Sequence, residues 1–172
     1  MLRISLVYGA ISGVLVILLM VAGMQSGLGH SVWFGFLSMI IVLSLIFVGI
    51  KRYRDRERGG VIGFWRALGL GLSIAAIAGV FYVIAWDITL HLTDFAFVGE
   101  YLETMRQSFA AKGLSGEALA EKMADWEAWA VSYRNPLYRW PMTFVEIFPV
   151  GVVVALVSAG LLCNPRVFPA RA

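Results

Sequence analysis

One cysteine and two histidines in 172 residues leave this chain with little capacity for thiol or soft-metal chemistry. Cys163 has no second cysteine to pair with and no histidine at metal-ligand spacing, so an internal disulfide and a cysteine-based metal site are both excluded. It reads as a small apolar filler near a helix end. Charged residues are also scarce, at 15%, well below the share that keeps an ordinary soluble domain hydrated. The chain has no nucleophile elbow, no phosphate-cradling glycine loop, no HExxH helix and no CxxC pair. No enzyme and no cofactor are expected on those grounds. His30, with Ser26 and Ser31 beside it, is a lone turn histidine on which no hydrolase can be built.

What the chain has in abundance is apolar surface. Hydrophobic residues make up 60% of it, and its mean hydropathy is +0.81. Four stretches can each cross a hydrocarbon core about 30 Å thick, at roughly 4–24, 33–50, 64–92 and 142–162. The run from Ile4 to Ala22 is longer than the roughly 7–15 residues of a signal-peptide core, so it is expected to be a retained first span. Residues 94–140 form the only extended polar stretch. There, Phe97, Tyr101, Met105 and Phe109 recur at helical spacing up to a stop at Lys112-Gly113. Ser115 then starts a second helix carrying Leu119, Met123, Trp126 and Ala130. The expected fold is all-α: one integral-membrane four-helix bundle over 1–172, with a short amphipathic helical extracytoplasmic insertion between the third and fourth spans. The first and third spans run parallel, which also allows a reading as two hairpin units.

The formal charge of +3 is taken as a topology signal and not as affinity for nucleic acid. Lys51, Arg52, Arg54, Arg56 and Arg58 follow the second span directly and form the densest basic cluster. With Arg3, Arg66, Arg166 and Arg171 they make nine basic residues on one side, against Arg106, Lys112, Lys122, Arg134 and Arg139 on the other. Both termini and the 51–60 loop are therefore expected in the cytoplasm. The 51–58 cluster could also dock anionic head groups, but ordinary topogenesis accounts for it.

Two acidic residues and one histidine fall within the spans. Asp87 and His91 stand four apart on one helical face, and Glu146 lies one turn into the fourth span. Such a cluster has three readings: a polar lock between helices with Arg139 as counter-ion, a proton or solute relay, or a divalent-metal site. Gly9 and Gly13, with Gly69 and the small residues after it, offer smooth surfaces for close helix packing.

The runs Gly49-Ile50-Lys51-Arg52-Tyr53-Arg54-Asp55, Gly59-Gly60-Val61-Ile62-Gly63-Phe64 and Ala67-Leu68-Gly69-Leu70-Gly71 resemble a bacterial four-span inner-membrane family catalogued as domain of unknown function 4199. So does Thr143-Phe144-Val145-Glu146-Ile147-Phe148-Pro149-Val150-Gly151 near the end. Trp65 departs from that family's usual polar residue. The resemblance implies four spans, an insertion before the last one, and no assigned biochemistry. The function expected is a non-enzymatic accessory or scaffold subunit of the bacterial inner membrane, whose partners are the lipid bilayer and either its own copies or a larger membrane complex. The alternative is a small transporter or channel using Asp87, His91 and Glu146, and a third reading is lipid chemistry at the outer leaflet.

Overall fold

The computed structural model describes residues 1–25 and 32–169, so His30 and the turn around it lie outside the described residues. Among the described residues seven helices follow in order: α1 (Leu2–Gln25), α2 (Val32–Leu43), α3 (Leu45–Glu57), α4 (Phe64–Leu92), α5 (Ala96–Ala111), α6 (Gly116–Tyr133) and α7 (Pro136–Leu162). No strand occurs among the described residues. Four segments are long and apolar enough to cross a membrane: Leu2–Gly23, Trp33–Glu57, Phe64–Leu92 and Pro136–Leu162. The chain separates into two compact units, one of Met1–Ala85 with Phe144–Ala172 and the other of Trp86–Thr143.

In the first unit α4 is the central helix. Ala67, Leu70, Ile74, Ala75, Ala78 and Tyr82 recur along one face, all nearly inaccessible. Glycines let its neighbours approach. A Cβ on Gly9 of α1 would lie 2.6 Å from Ile77 Cγ2, and one on Gly13 would lie 2.5 Å from the carbonyl oxygen of Ala78. Gly49 of α3 meets Ile74 and Tyr8, Gly71 meets Ala155 of α7, and Gly151 of α7 meets Ala75. Side chains this small let backbones come close enough to replace a hydrophobic driving force that is weak between helices in lipid. Gly69, grouped with them in the sequence reading, has nothing within 4 Å of a notional Cβ. It sits on the uncontacted side of α4, two residues from the packed Gly71, because a helical face turns away within about 200° over two residues.

The second span is longer than its apolar run. The expected cytoplasmic loop begins as helix: α3 continues through Lys51, Arg54 and Asp55 to Glu57. Lys51 pairs with Asp55 one turn on, and Gly59 and Gly60, both at positive φ, end the helix, the amide of Gly60 donating to the carbonyl of Arg54 at 2.9 Å. α2 and α3 meet at Ser44, whose backbone stays helical (φ −59°, ψ −17°) and whose hydroxyl donates to the carbonyl of Ile41 at 2.6 Å, a competitor for the helical amide ladder.

In the second unit α5 and α6 form a helical hairpin. Gly113 (φ +87°) sends its amide to Ala110, and Leu114 sends its amide to Phe109, a Schellman closure of α5. Ser115 occupies the expected N-cap of α6 in an extended conformation, yet its hydroxyl makes no capping bond. α7 begins six residues before the expected span, because Asn135 Oδ1 accepts the amide of Leu137 and Pro136 needs no amide partner at the first helical position.

Candidate functional site

The polar cluster around Asp87 lies wholly within the second unit. α4 ends at Leu92 and closes through a Schellman turn: the amide of Phe95 reaches the carbonyl of Leu90 at 2.8 Å and that of Asp94 reaches His91 at 3.4 Å. Asp94 (φ 47°) is tolerated in the left-handed region, but Phe95 (φ 58°) is an aromatic residue there and is strained. That turn places the Phe95 ring 5.2 Å from the guanidinium carbons of both Arg134 and Arg139.

Arg139 is the hub. Its side chain is 1% exposed, although it sits in the first turn of α7, where a helix dipole disfavours a cation. The side chain turns that position to use by reaching the C-terminal end of α6. There Nη1 donates to the carbonyls of Tyr133 at 2.9 Å and Arg134 at 3.1 Å, which the helix leaves unsatisfied. Nε donates to Asp87 Oδ1 at 3.0 Å, and Nη2 donates to the same oxygen. Trp140 Nε1 adds a third donor to Oδ1 at 3.0 Å. A buried guanidinium is costly to desolvate, and this one recovers the loss only because nearly all its donors find oxygen.

His91 stands on the solvent side of this arrangement, with its side chain 59% exposed. Its Nδ1 lies 2.8 Å from the Asp87 carbonyl oxygen and 3.6 Å from Asp87 Oδ2. Below the carboxylate runs a ladder of rings. Trp86 donates to the Tyr133 hydroxyl at 2.9 Å and meets Phe97 edge-on, Phe97 stacks on Tyr101, and Tyr101 touches both Trp126 and Trp129.

Of the expected trio, two members share this unit. Asp87 and His91 come together as the i,i+4 spacing requires, and within the unit the donors to Asp87 are Arg139 and Trp140. Glu146 belongs to the other unit, is exposed, and makes no hydrogen bond or ion pair among the described residues. No three His, Cys, Asp or Glu side chains among the described residues converge closely enough to hold a metal ion. Arg139 was legible as a counter-ion. The roles of Trp140, Phe95 and the α6 carbonyls were not, because they depend on a left-handed turn that no glycine announces.

A second buried arginine stands in the first unit. Arg54, read from sequence as one of five residues in the expected cytoplasmic basic cluster, is fully buried. Nε donates to Asp55 at 2.7 Å, Nη1 to the carbonyls of Val167 at 3.3 Å and Leu162 at 3.5 Å, and Nη2 to that of Phe168. It thus satisfies the end of α7 and ties down the segment after it, with Phe47 edge-on against Phe168. Of the remaining four, Lys51 is paired with Asp55, while Arg52, Arg56 and Arg58 are exposed.

The model of the family described as "Protein of unknown function (DUF4199)" matches residues 6–164. The chain belongs to this family. No curated protein and no solved structure matches it. The motif residues that carried the resemblance have structural work here: Gly49, Gly71 and Gly151 are helix contacts, Arg54 caps α7, and Gly59-Gly60 end α3.

Proposed function

We propose that this multi-span membrane protein is a non-enzymatic accessory or scaffold subunit, held in the bacterial inner membrane with both termini cytoplasmic and residues 94–140 outside, and packed against its own copies or a larger complex. The observation that carries this reading is the state of Glu146. Its carboxylate lies on an outward face of a membrane-spanning helix with no partner among the described residues. Left against hydrocarbon, an acidic side chain costs on the order of 2–3 kcal/mol even on the gentler insertion scale, so an intramembrane ionisable group calls for a partner. Another subunit supplies one. The Asp87 cluster supports the same reading from the other side: Oδ1 already accepts three donors from Arg139 and Trp140, which suits a lock better than a relay.

Native mass spectrometry in mild detergent tests this. The wild type is expected to retain a second copy or another membrane subunit, and Glu146→Ala is expected to release it with little change in the thermal unfolding of the chain itself. The transport reading draws on the same free carboxylate. It would replace the scaffold reading if the wild type were a partnerless monomer and Glu146→Gln abolished proton flux in proteoliposomes.

A further inference from the structure

We propose that Arg3, Arg52 and Arg56 form a binding pocket for a phosphate group, of the kind carried by an anionic phospholipid head group. A cleft of about 260 Å³ is lined by Arg3, Ile4, Val7 and Tyr8 of α1 and by Arg52, Arg56 and Glu57 of α3. Topogenesis requires only that basic residues lie on one side of a membrane. It does not require that arginines from two helices, 49 positions apart in the chain, should face one another across a shared cleft. Arg52 and Arg56 stand four apart on one face of α3, and the close approach of Gly49 to Tyr8 holds that face against α1.

The three guanidinium groups are uncommitted: none makes a hydrogen bond or ion pair among the described residues. The nearby acids are otherwise engaged. Asp55 is held by Lys51 and Arg54, and Glu57, the carboxylate that lines the cleft, lies 3.7 Å from the amino group of Met1. Arginine forks match phosphate oxygens in pairs, and a basic pocket between spans at a membrane surface is a general form of head-group site. The position suits a lipid. Arg3 begins the first span and Arg52 and Arg56 end the second, so the pocket lies where head groups lie, with the apolar flank of Ile4 and Val7 leading towards the acyl region. The volume accommodates a phosphate with its ester oxygens but falls below the roughly 300 Å³ at which pockets for drug-sized ligands begin.

The test measures retention of phosphatidylglycerol, against phosphatidylcholine, by the full chain in mixed nanodiscs, with native mass spectrometry as readout and inorganic phosphate titrated in a parallel series. The wild type should retain phosphatidylglycerol selectively. Arg52→Gln with Arg56→Gln should lower that retention about 25-fold, at about fivefold per basic residue. Arg58→Gln removes one charge from the same helix end but outside the cleft, and should change retention less than twofold, against about fivefold for Arg52→Gln alone. Unfolding temperatures in zwitterionic detergent, matched between variants and wild type, separate loss of site from loss of fold; if the double variant fails that check, Arg3→Gln is measured in its place, with about a fivefold loss expected. Phosphate binding with the same dependence on Arg52 and Arg56, without lipid selectivity, would keep the site and assign it to a free phosphate compound. Equal losses for Arg52→Gln and Arg58→Gln, or no selectivity in either series, would overturn the proposal.

Discussion

Arg139 sends two donors to a single oxygen of Asp87, and the other oxygen of that carboxylate faces His91 at 3.6 Å. The pair is therefore a lock with one side closed by buried donors and the other facing an exposed imidazole. Arg139→Met should destabilise the protein by about 2–4 kcal/mol, because it orphans Asp87 and the α6 carbonyls together. Asp87→Asn should cost less, about 1–2 kcal/mol, since the amide oxygen still accepts from Trp140. The double variant should fall short of the sum by at least about 1 kcal/mol, as measured by thermal unfolding in detergent. Strict additivity would show that the two side chains act independently.

Arg54 is expected to matter at the other end of α7. Arg54→Ala should cost about 2–4 kcal/mol and leave the chain after Leu162 open to limited proteolysis, whereas Arg58→Ala, an exposed member of the same cluster, should stay within about 0.5 kcal/mol of wild type. Equal protease resistance in both variants would remove Arg54 from its capping role.

Gly13 and Gly69 should respond in opposite directions to the same change. At Gly13 an added methyl meets the Ala78 carbonyl oxygen at 2.5 Å and the Tyr82 nitrogen at 3.0 Å, backbone atoms that can give only if α1 and α4 separate. Gly13→Ala should destabilise by about 1–3 kcal/mol. Gly69 has open space around it, so Gly69→Ala should stabilise by about 0.5–1 kcal/mol through helix propensity alone. Melting curves in one detergent decide both.

Sidedness follows from charge and can be checked directly. After Cys163→Ser, cysteines placed at Arg56 and Glu121 should react oppositely with an impermeant thiol reagent in intact cells, position 121 labelling and position 56 not. Labelling at position 56 alone would invert the topology.

The four spans could be read from the sequence because long apolar runs have few alternatives in a chain that contains almost nothing else. The start of α6 at Gly116 and the stop of α5 at Gly113 were readable for a local reason: serine favours the residue before a helix, and glycine takes the left-handed conformation that ends one; the start of α7 at Pro136 was not, since the expected span opened six residues later. Gly69 meets nothing within the chain, because small residues mark an approach only when they face a neighbour, and facing is a property of the whole bundle. Arg54 was taken for one of five residues in the basic cluster, since nothing within 51–58 distinguishes it. Its partners, Leu162, Val167 and Phe168, lie more than 100 residues away. Of the donors to Asp87, Arg139 was legible as a counter-ion, whereas Trp140 carried no signal, since an indole N–H finds its acceptor only once the helix start is built.

Ser44 marks the second span without breaking it. Its backbone stays helical (φ −59°, ψ −17°), and the amides of Ser44 and Val48 keep their partners one turn back, Ile40 and Ser44. Buried residues lie on both sides of it, Met39 and Leu43 before and Ile46 and Ile50 after. A 25-residue rod is about 37 Å long and passes any tilt at one end to the other. A bilayer that thins or thickens around this span therefore moves the arginine cleft and the cap on α7 with it, because both are built on the rod's far end.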